Sequence, residues 1–401
     1  MNSATANIEG HLNIFLAPAA AEDRVSIVSS RPLTLCRLFE GRSAADTLKT
    51  IPLLFNICGQ AQGIAAVRAF ESALQTPATE AVEVAREDLN RLEMLREHLF
   101  RILADWPQYY GQQPDHTLLA SLVSHINRLR NAIDPEHRLL TQPGLHNTRP
   151  LAAAVQEQMQ AIRDILHHTL YMADPATWLQ YNATQLMDWI DSRDTPFTRL
   201  LRHVRDQGWQ SLGAANTAAL PELDCARLLT QLDHKRADDF IANPRWDETV
   251  YETGAYARHL QHPLLRSVVA SSGPGLLARL VARIIEIADL FNHMDIPNNL
   301  HQARFSDGLS QLEAARGRLC HRVQIDGQQV TRYQILAPTE WNFATRGPVV
   351  QALSQVAQDQ GTPLHAQASL LIHAIDPCVG FSLHIDHQDP VIDPQGDLHH
   401  A

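Results

Sequence analysis

EVAREDLNRLEMLREHLFRILADW, residues 83–106, decides the fold class. Ala85, Leu89, Leu92, Leu99 and Leu103 recur at three- and four-residue steps, the period that gathers side chains on one face of an α-helix. That face reads as core. On the exposed side, Glu87 with Arg91 and Glu97 with Arg101 stand i,i+4 in the favourable order, a support of about 0.2–0.5 kcal/mol per pair. Further helices are predicted at 151–172, 176–207 and 276–293, the last following Gly273-Pro274-Gly275, which breaks the chain direction before the helix starts. Segment 208–262 reads as choppy, with loops around Pro221 and Pro244. No internal repeat, low-complexity tract or linker interrupts the chain.

Strands are predicted only near the ends. IEGHLNIFLA, residues 8–17, mixes apolar and polar residues around Gly10 and favours a short strand. Its best candidate partner is LCHRVQIDGQQVTRYQIL, residues 319–336, two alternating segments around Asp326-Gly327, a dipeptide suited to a tight hairpin turn. The two ends of the chain are therefore expected to meet in one small sheet. The predicted class is mainly α with a small β-sheet, in one interleaved domain over 1–401.

With 401 residues, 45% hydrophobic and 19% charged, the chain can bury a substantial core. A net charge of -11, spread without an acidic tail or a Lys/Arg cluster, argues against nucleic acid as a partner. The start lacks a basic region followed by an apolar one, and no run approaches the roughly 18 apolar residues of a membrane span. A soluble, cytoplasmic protein is expected. Five widely spaced cysteines, Cys36, Cys58, Cys225, Cys320 and Cys378, suit a reducing compartment better than a disulfide framework. Neither a Cys-x-x-Cys pair nor a His-x-x-x-His helical pair of metalloprotease type is present. Asp376-Pro377-Cys378, after the apolar run ASLLIHAI, places one thiol at a rigid turn, and Cys58 precedes Gly59. Taken alone, each thiol reads as a small buried hydrophobe.

Five segments in order change that reading. IEGHL at 8–12, RLFEGRSAADTLKTIPLLFNICGQAQGIAAVRAFESA at 37–73, ARGRLCH at 315–321, APTEWNF at 337–343 and DPCVGFSLH at 376–384 together resemble the large subunit of nickel–iron hydrogenases and, more closely, its HupK/HoxV-type accessory relatives. The motifs cover under a third of the chain. The resemblance implies a hydrogenase large-subunit-like helical bundle. In the catalytic family two Cys-x-x-Cys pairs hold nickel, and the second cysteine of each bridges to an iron bearing cyanide and carbon monoxide. Here both pairs are broken: Cys58 is followed at the second position by Ala61, the usual histidine is Ala65, and Cys378 is followed by Phe381. Alanine and phenylalanine offer no lone pair to a metal, and the phenyl ring is expected to fill the space of a bridging sulfur. Nickel is not expected.

By resemblance, Cys58 and Cys378, 320 positions apart, would meet and hold a low-spin iron that already carries its diatomic ligands, with few enough protein bonds to release it. Arg316 matches an arginine above the metal site, where it would reach a cyanide nitrogen; an ordinary ion pair, to Glu313 for instance, is the plain alternative. Glu9 matches a proton-transfer carboxylate that has lost its thiol partner. Glu40 and His384 match positions around a structural magnesium site. Seventeen residues, Ile385–Ala401, follow His384, similar in length to a cleaved tail but expected to stay attached. Cys36, Cys225 and Cys320 match no ligand.

The implied function is non-catalytic: a scaffold in nickel–iron hydrogenase maturation that carries Fe(CN)2(CO) from HypC/HypD-type maturation proteins toward the large subunit. The competing readings are a divergent metal-binding hydrogenase subunit using, for example, Cys58, Cys378 and Cys320, and a metal-free large-subunit mimic that binds maturation partners.

Overall fold

Segments 44–54, 59–74 and 80–100 fold as three consecutive helices, α1 (Ala44–Leu54), α2 (Gly59–Leu74) and α3 (Glu80–Phe100), in a computed structural model that describes residues 10–18, 20, 23–215, 217–294, 304–356 and 364–385. Glu9 and all but the first residue of the 385–401 tail lie outside the described residues. Ser43 caps α1 by accepting the Asp46 N–H, satisfying one of the donors a helix start leaves open. A Cβ on Gly59 would meet the Pro52 carbonyl at 2.9 Å, so the tight passage from α1 into α2 requires glycine.

The apolar stripe of α3 is core, as its period implies: Ala85, Leu89, Leu92, Leu99 and Leu103 are all buried. Its two expected surface ion pairs do not form. Glu87 bonds Arg68, Arg91 bonds Asp88, Glu97 bonds Arg96 and Arg316, and Arg101 bonds Asp105 and Asp376. Glu87, Glu97 and Arg101 are drawn to Arg68, Arg316 and Asp376 of other elements, where charge-assisted bonds in partly buried surroundings outweigh the few tenths of a kcal/mol of an exposed pair, while Arg91 turns to Asp88 in its own helix. After Phe100 the helix widens into a π-turn, Arg101–Asp105, and there Arg101 reaches Asp376 at 2.9 Å.

Helices α4 (His116–Ile133) and α5 (Ala152–Ile165) pack next. The latter continues as a π-turn to Tyr171, matching the expected 151–172 segment. The single helix expected over 176–207 is instead three, Pro175–Trp178, Ala183–Ser192 and Pro196–Asp206. Asp174, Asn182 and Thr195 each cap a new start, the last two in reciprocal capping boxes with Gln185 and Thr198, so local capping overrides continuity of the apolar period. Segment 208–262 holds short helices and two-residue strands, as its prolines suggested.

Helix α6 (Leu276–Asn292) is buried on nearly every side, the signature of a central helix. The main hydrophobic cluster draws residues from Leu12 to Val379 around it. Arg279, Arg283 and Glu286, at i, i+4 and i+7, put charge on one face of this buried helix.

The hairpin around Asp326-Gly327 forms as expected but pairs elsewhere. Strands β3 (Arg304–Ser306), β4 (Leu309–Ala314), β5 (Gly317–Asp326) and β6 (Gln329–Leu336) make their own antiparallel sheet in sequence order. Strand β1 (His11–Leu16) sits instead between β2 (Val25–Ser29), antiparallel, and the last strand, β7 (Gly380–Ile385), parallel. The two ends do share a sheet, through Leu12 opposite Phe381 and Phe15 opposite His384. Helix α7 (Leu364–Ile375) runs into the turn that precedes β7. Among the described residues no helix is long and apolar enough to cross a membrane.

Candidate functional site

Cys58 ends a 3-10 turn, Asn56–Cys58, just before α2, and Cys378 stands between α7 and β7. Both line one cavity of about 60 Å3, together with Arg31, Cys36, Gln62 and Glu340. That space holds several water-sized atoms, a scale that fits a metal with small ligands and not a large organic cofactor. The segments around residues 31, 58, 337–340 and 376–379 thus converge on one point. Gly10 brings the first of them in: its φ is +81°, and a Cβ there would lie 2.6 Å from Arg31 Cα.

The two sulfurs have unlike surroundings. Arg31 Nη1 donates to Cys378 Sγ at 2.7 Å, and the Thr339 hydroxyl, which accepts the Cys378 N–H at 3.3 Å, lies 2.8 Å from the same sulfur. Arg31 is also ion-paired to Glu340 at 3.0 Å. Despite burial, the Cys378 sulfur and the Glu340 carboxylate keep the Arg31 guanidinium firmly protonated. Burial outweighs Arg31 at Glu340 and raises its pKa; its Oε2 has no hydrogen-bond partner among the described residues. Among the described residues Cys58 Sγ has one hydrogen-bond donor, Gln62 Nε2 at 3.5 Å. Burial, with the charge of Glu93 next, pushes the Cys58 thiol well up. Gln62 is oriented by His321, which burial holds neutral with a pKa down at about 3. The chain runs Tyr333 hydroxyl to His321 Nδ1 at 2.7 Å, and His321 Nε2 to Gln62 Oε1 at 2.8 Å, a tautomer assigned from the bonds it makes.

A cluster of buried charges holds the Cys378 turn from behind. The Asp376 carboxylate meets Arg101 at 2.9 Å, Arg316 at 3.3 Å and Arg283 at 3.5 Å. Burial alone would raise its pKa, but the three guanidiniums hold it well below the usual carboxylate range. Arg316 also donates to the Pro377 carbonyl at 3.2 Å and pairs with Glu97 at 3.2 Å. Arg283 donates to the His373 and Ala374 carbonyls, the negative end of α7. Arg316 is therefore a buried clamp on the turn and not part of the cavity wall. Its ion partners are Glu97 and Asp376, because Glu313 is taken by Arg258 and Arg318.

Phe381 does not stand in the cavity wall. Its ring packs edge-on against His373 at 5.1 Å, because the β7 strand turns residue 381 toward α7. Ala61 and Ala65 are buried in α2. Glu40 is exposed at the end of the 3-10 helix Leu33–Phe39, whereas His384 stacks on Phe15 at 4.8 Å in the other sheet, with Asn13 3.4 Å from its Nε2. No hydrogen bond or ion pair links the two, and among the described residues no three His, Cys, Asp or Glu side chains converge to hold a metal ion. Cys320 lies with Leu309, Leu336 and Trp341 in a separate apolar cluster. Cys36, which matched no ligand, is the third thiol on the cavity, pushed up to about 12 by burial.

Thr339 and Glu340 lie inside APTEWNF and Asp376 opens DPCVGFSLH, but sequence reasoning gave them no role, and Arg31 lies outside every motif. Glu93 is equally silent, 35 positions from Cys58, yet accepts the backbone N–H groups of Gln60 at 2.7 Å and Ala61 at 3.0 Å. These bonds at a helix start favour the anion, but burial outweighs them and raises the Glu93 pKa to about 7. A carboxyl with a raised folded pKa contributes stability fully present below its unfolded value, about 4.3, and lost as pH rises through the folded value. Relative to Glu93→Gln, the wild type is expected to be more stable at pH 5 than at pH 8 in denaturant unfolding. An unchanged difference between the two pH values would show that Glu93 stays ionised in the fold.

The architecture matches solved hydrogenases. The nickel–iron–selenium hydrogenase of Desulfovibrio vulgaris Hildenborough superposes with a TM-score of 0.61, covering 93% of this chain and 96% of that one at 15% identity. The family model for nickel-dependent hydrogenase matches residues 257–384. The fold is that of a nickel–iron hydrogenase large subunit. The sequence is 30% identical to the hydrogenase expression/formation protein HupV of Azotobacter chroococcum mcd 1 and 31% identical to HupK of Azotobacter vinelandii, in each case over 89% of this chain and 93% of the relative. The chain belongs to the HupK/HupV/HoxV family of hydrogenase expression/formation proteins.

Proposed function

We propose that this protein is a non-catalytic scaffold of nickel–iron hydrogenase maturation that accepts Fe(CN)2(CO) on Cys58 and Cys378 and passes it on toward a hydrogenase large subunit in the cytoplasm. One observation carries the reading: two cysteines 320 positions apart share a cavity of about 60 Å3. Two soft thiolates suit iron of this kind, and two bonds instead of a complete ligand set leave the cargo removable. HypC/HypD-type maturation proteins are the proposed donors. A redox enzyme that recruits Cys320 as a third ligand finds no support in the geometry, since that thiol is buried in another cluster.

The test is an infrared spectrum of protein co-produced anaerobically with the maturation machinery, alongside iron and nickel analysis. Metal-bound cyanide and carbonyl bands with iron and without nickel are expected, and Cys58→Ser or Cys378→Ser should abolish them. A folded protein that carries neither bands nor iron would replace this reading with that of a metal-free mimic binding maturation partners.

A further inference from the structure

The two thiols that share the cavity are built to bind with different strength. Hydrogen bonds to a ligating sulfur withdraw electron density from it and tune the metal it holds. Cys378 Sγ lies within hydrogen-bond reach of a guanidinium at 2.7 Å and a hydroxyl at 2.8 Å. The Arg31 donor is charged, which makes its bond the stronger kind, and Glu340 at 3.0 Å anchors it. Among the described residues Cys58 Sγ has one hydrogen-bond donor, a neutral amide at 3.5 Å; Phe55 and Ile57 line the wall beside it, and the Arg316 and Arg31 charges reach it without a hydrogen bond. Arg31 and Thr339 also serve the fold, through the ion pair with buried Glu340 at 3.0 Å and the bond accepted from the Cys378 N–H at 3.3 Å, so their variants are compared only as folded protein.

We infer that Arg31 and Thr339 are positioning residues that make Cys378 the weak, releasing ligand of the iron cargo, while Cys58 is the retaining one. The inference rests on the scaffold reading above and adds a direction of transfer: the bond to Cys378 opens first and Cys58 holds the group until a receiving thiolate takes it. No electron moves in this exchange. Each iron–sulfur bond that breaks, first to Cys378 and then to Cys58, is replaced by one to an incoming thiolate, and the proton that the incoming thiol loses on binding is taken up by the departing cysteine sulfur. A donor to a thiolate acts oppositely to the carboxylate behind a metal-bound histidine. The carboxylate raises ligand basicity, so its loss weakens binding; the guanidinium lowers it, so its loss tightens binding.

The experiment compares loaded wild type with Arg31→Met, Thr339→Val and the hydroxyl-retaining control Thr339→Ser, all isolated as folded full-length chain. Removing a donor leaves the sulfur richer in electrons, so the cyanide and carbonyl bands are expected to move to lower wavenumber in Arg31→Met and Thr339→Val and to stay in place in Thr339→Ser. Loss of iron to a competing thiol chelator should slow about tenfold in Arg31→Met, the low end of the effect of outer-shell partners on metal affinity. Unshifted bands, or faster iron loss in both variants, would overturn the inference and leave Arg31 a simple electrostatic attractor. Absence of bands from the wild type itself would instead sink the scaffold reading, so the two failures are told apart.

Discussion

Asp376→Ala is expected to destabilise the protein by about 3–5 kcal/mol, the cost of removing one member of a buried ionic cluster and leaving the other charges uncompensated. Three guanidiniums, from α6, from the π-turn after α3 and from the loop before β5, converge on this one carboxylate, which is 2% exposed. Without it Arg101, Arg283 and Arg316 face one another across a dry space, and Glu97 is the nearest remaining counter-charge to Arg316. The effect reaches the site because the Arg316 bond to the Pro377 carbonyl positions the Cys378 turn. The same group has a pH signature. Its folded pKa is depressed by the arginines, so its contribution is fully present above the unfolded value, about 3.9, and is lost as pH falls from there toward the lower folded value. Denaturant unfolding of wild type and variant at pH 7 and pH 3 measures both effects. A difference under about 1 kcal/mol at pH 7 would show that the arginines find other partners or water.

Arg86→Met is expected to cost a similar ~3–5 kcal/mol, in a cluster whose residues do not line the cavity. Arg86 is fully buried and grips Glu71 through two parallel bonds of 2.9 Å, while its Nε donates to the Leu139 carbonyl at 2.8 Å and Nη1 pairs with Glu83. Methionine fills much of the volume but, among the described residues, leaves Glu71, itself 2% exposed, with the Gly144 N–H at 2.9 Å as its remaining hydrogen-bond donor, and removes the Arg86 bond to the Leu139 carbonyl. The double variant Arg86→Met with Glu71→Met should recover most of the loss, because removing both ions also removes their desolvation cost. Unfolding of the two single variants and the double variant closes the cycle. Strict additivity would mean that the pair is not coupled. Cargo binding should be unchanged in all three, which separates this structural cluster from the one behind Cys378.

How much of this was legible beforehand follows from the range of each interaction. The helical class, the apolar face of α3, the central α6 and the hairpin at Asp326-Gly327 come from local periods of 3.6 and 2 residues and from turn chemistry, all readable within a dozen positions. Arg279, Arg283 and Glu286 also left a trace, charges at i, i+4 and i+7 inside an otherwise apolar run. The partner of β1 was not readable. The hairpin at 319–336 and the strand at 380–385 alternate equally well, and the choice of β7 is made by the packing of α7 and the clamp on Asp376. Glu87, Glu97 and Arg101 of the expected α3 pairs likewise took partners from other elements, since spacing along a helix states which residues can meet, not which stronger partner arrives from elsewhere.

For the site, sequence by itself determined that two cysteines survive from broken pairs and that Ala61 and Phe381 offer no further thiolate. Tertiary structure alone decided that Cys58 and Cys378 share one cavity, that Cys36 and not Cys320 joins them, and that Arg31 and Thr339 come within hydrogen-bond distance of the Cys378 sulfur. A residue's type is written in the chain, but the strength of a buried hydrogen bond or charge depends on which groups replace the lost water. Those groups arrive from positions tens to hundreds of residues away.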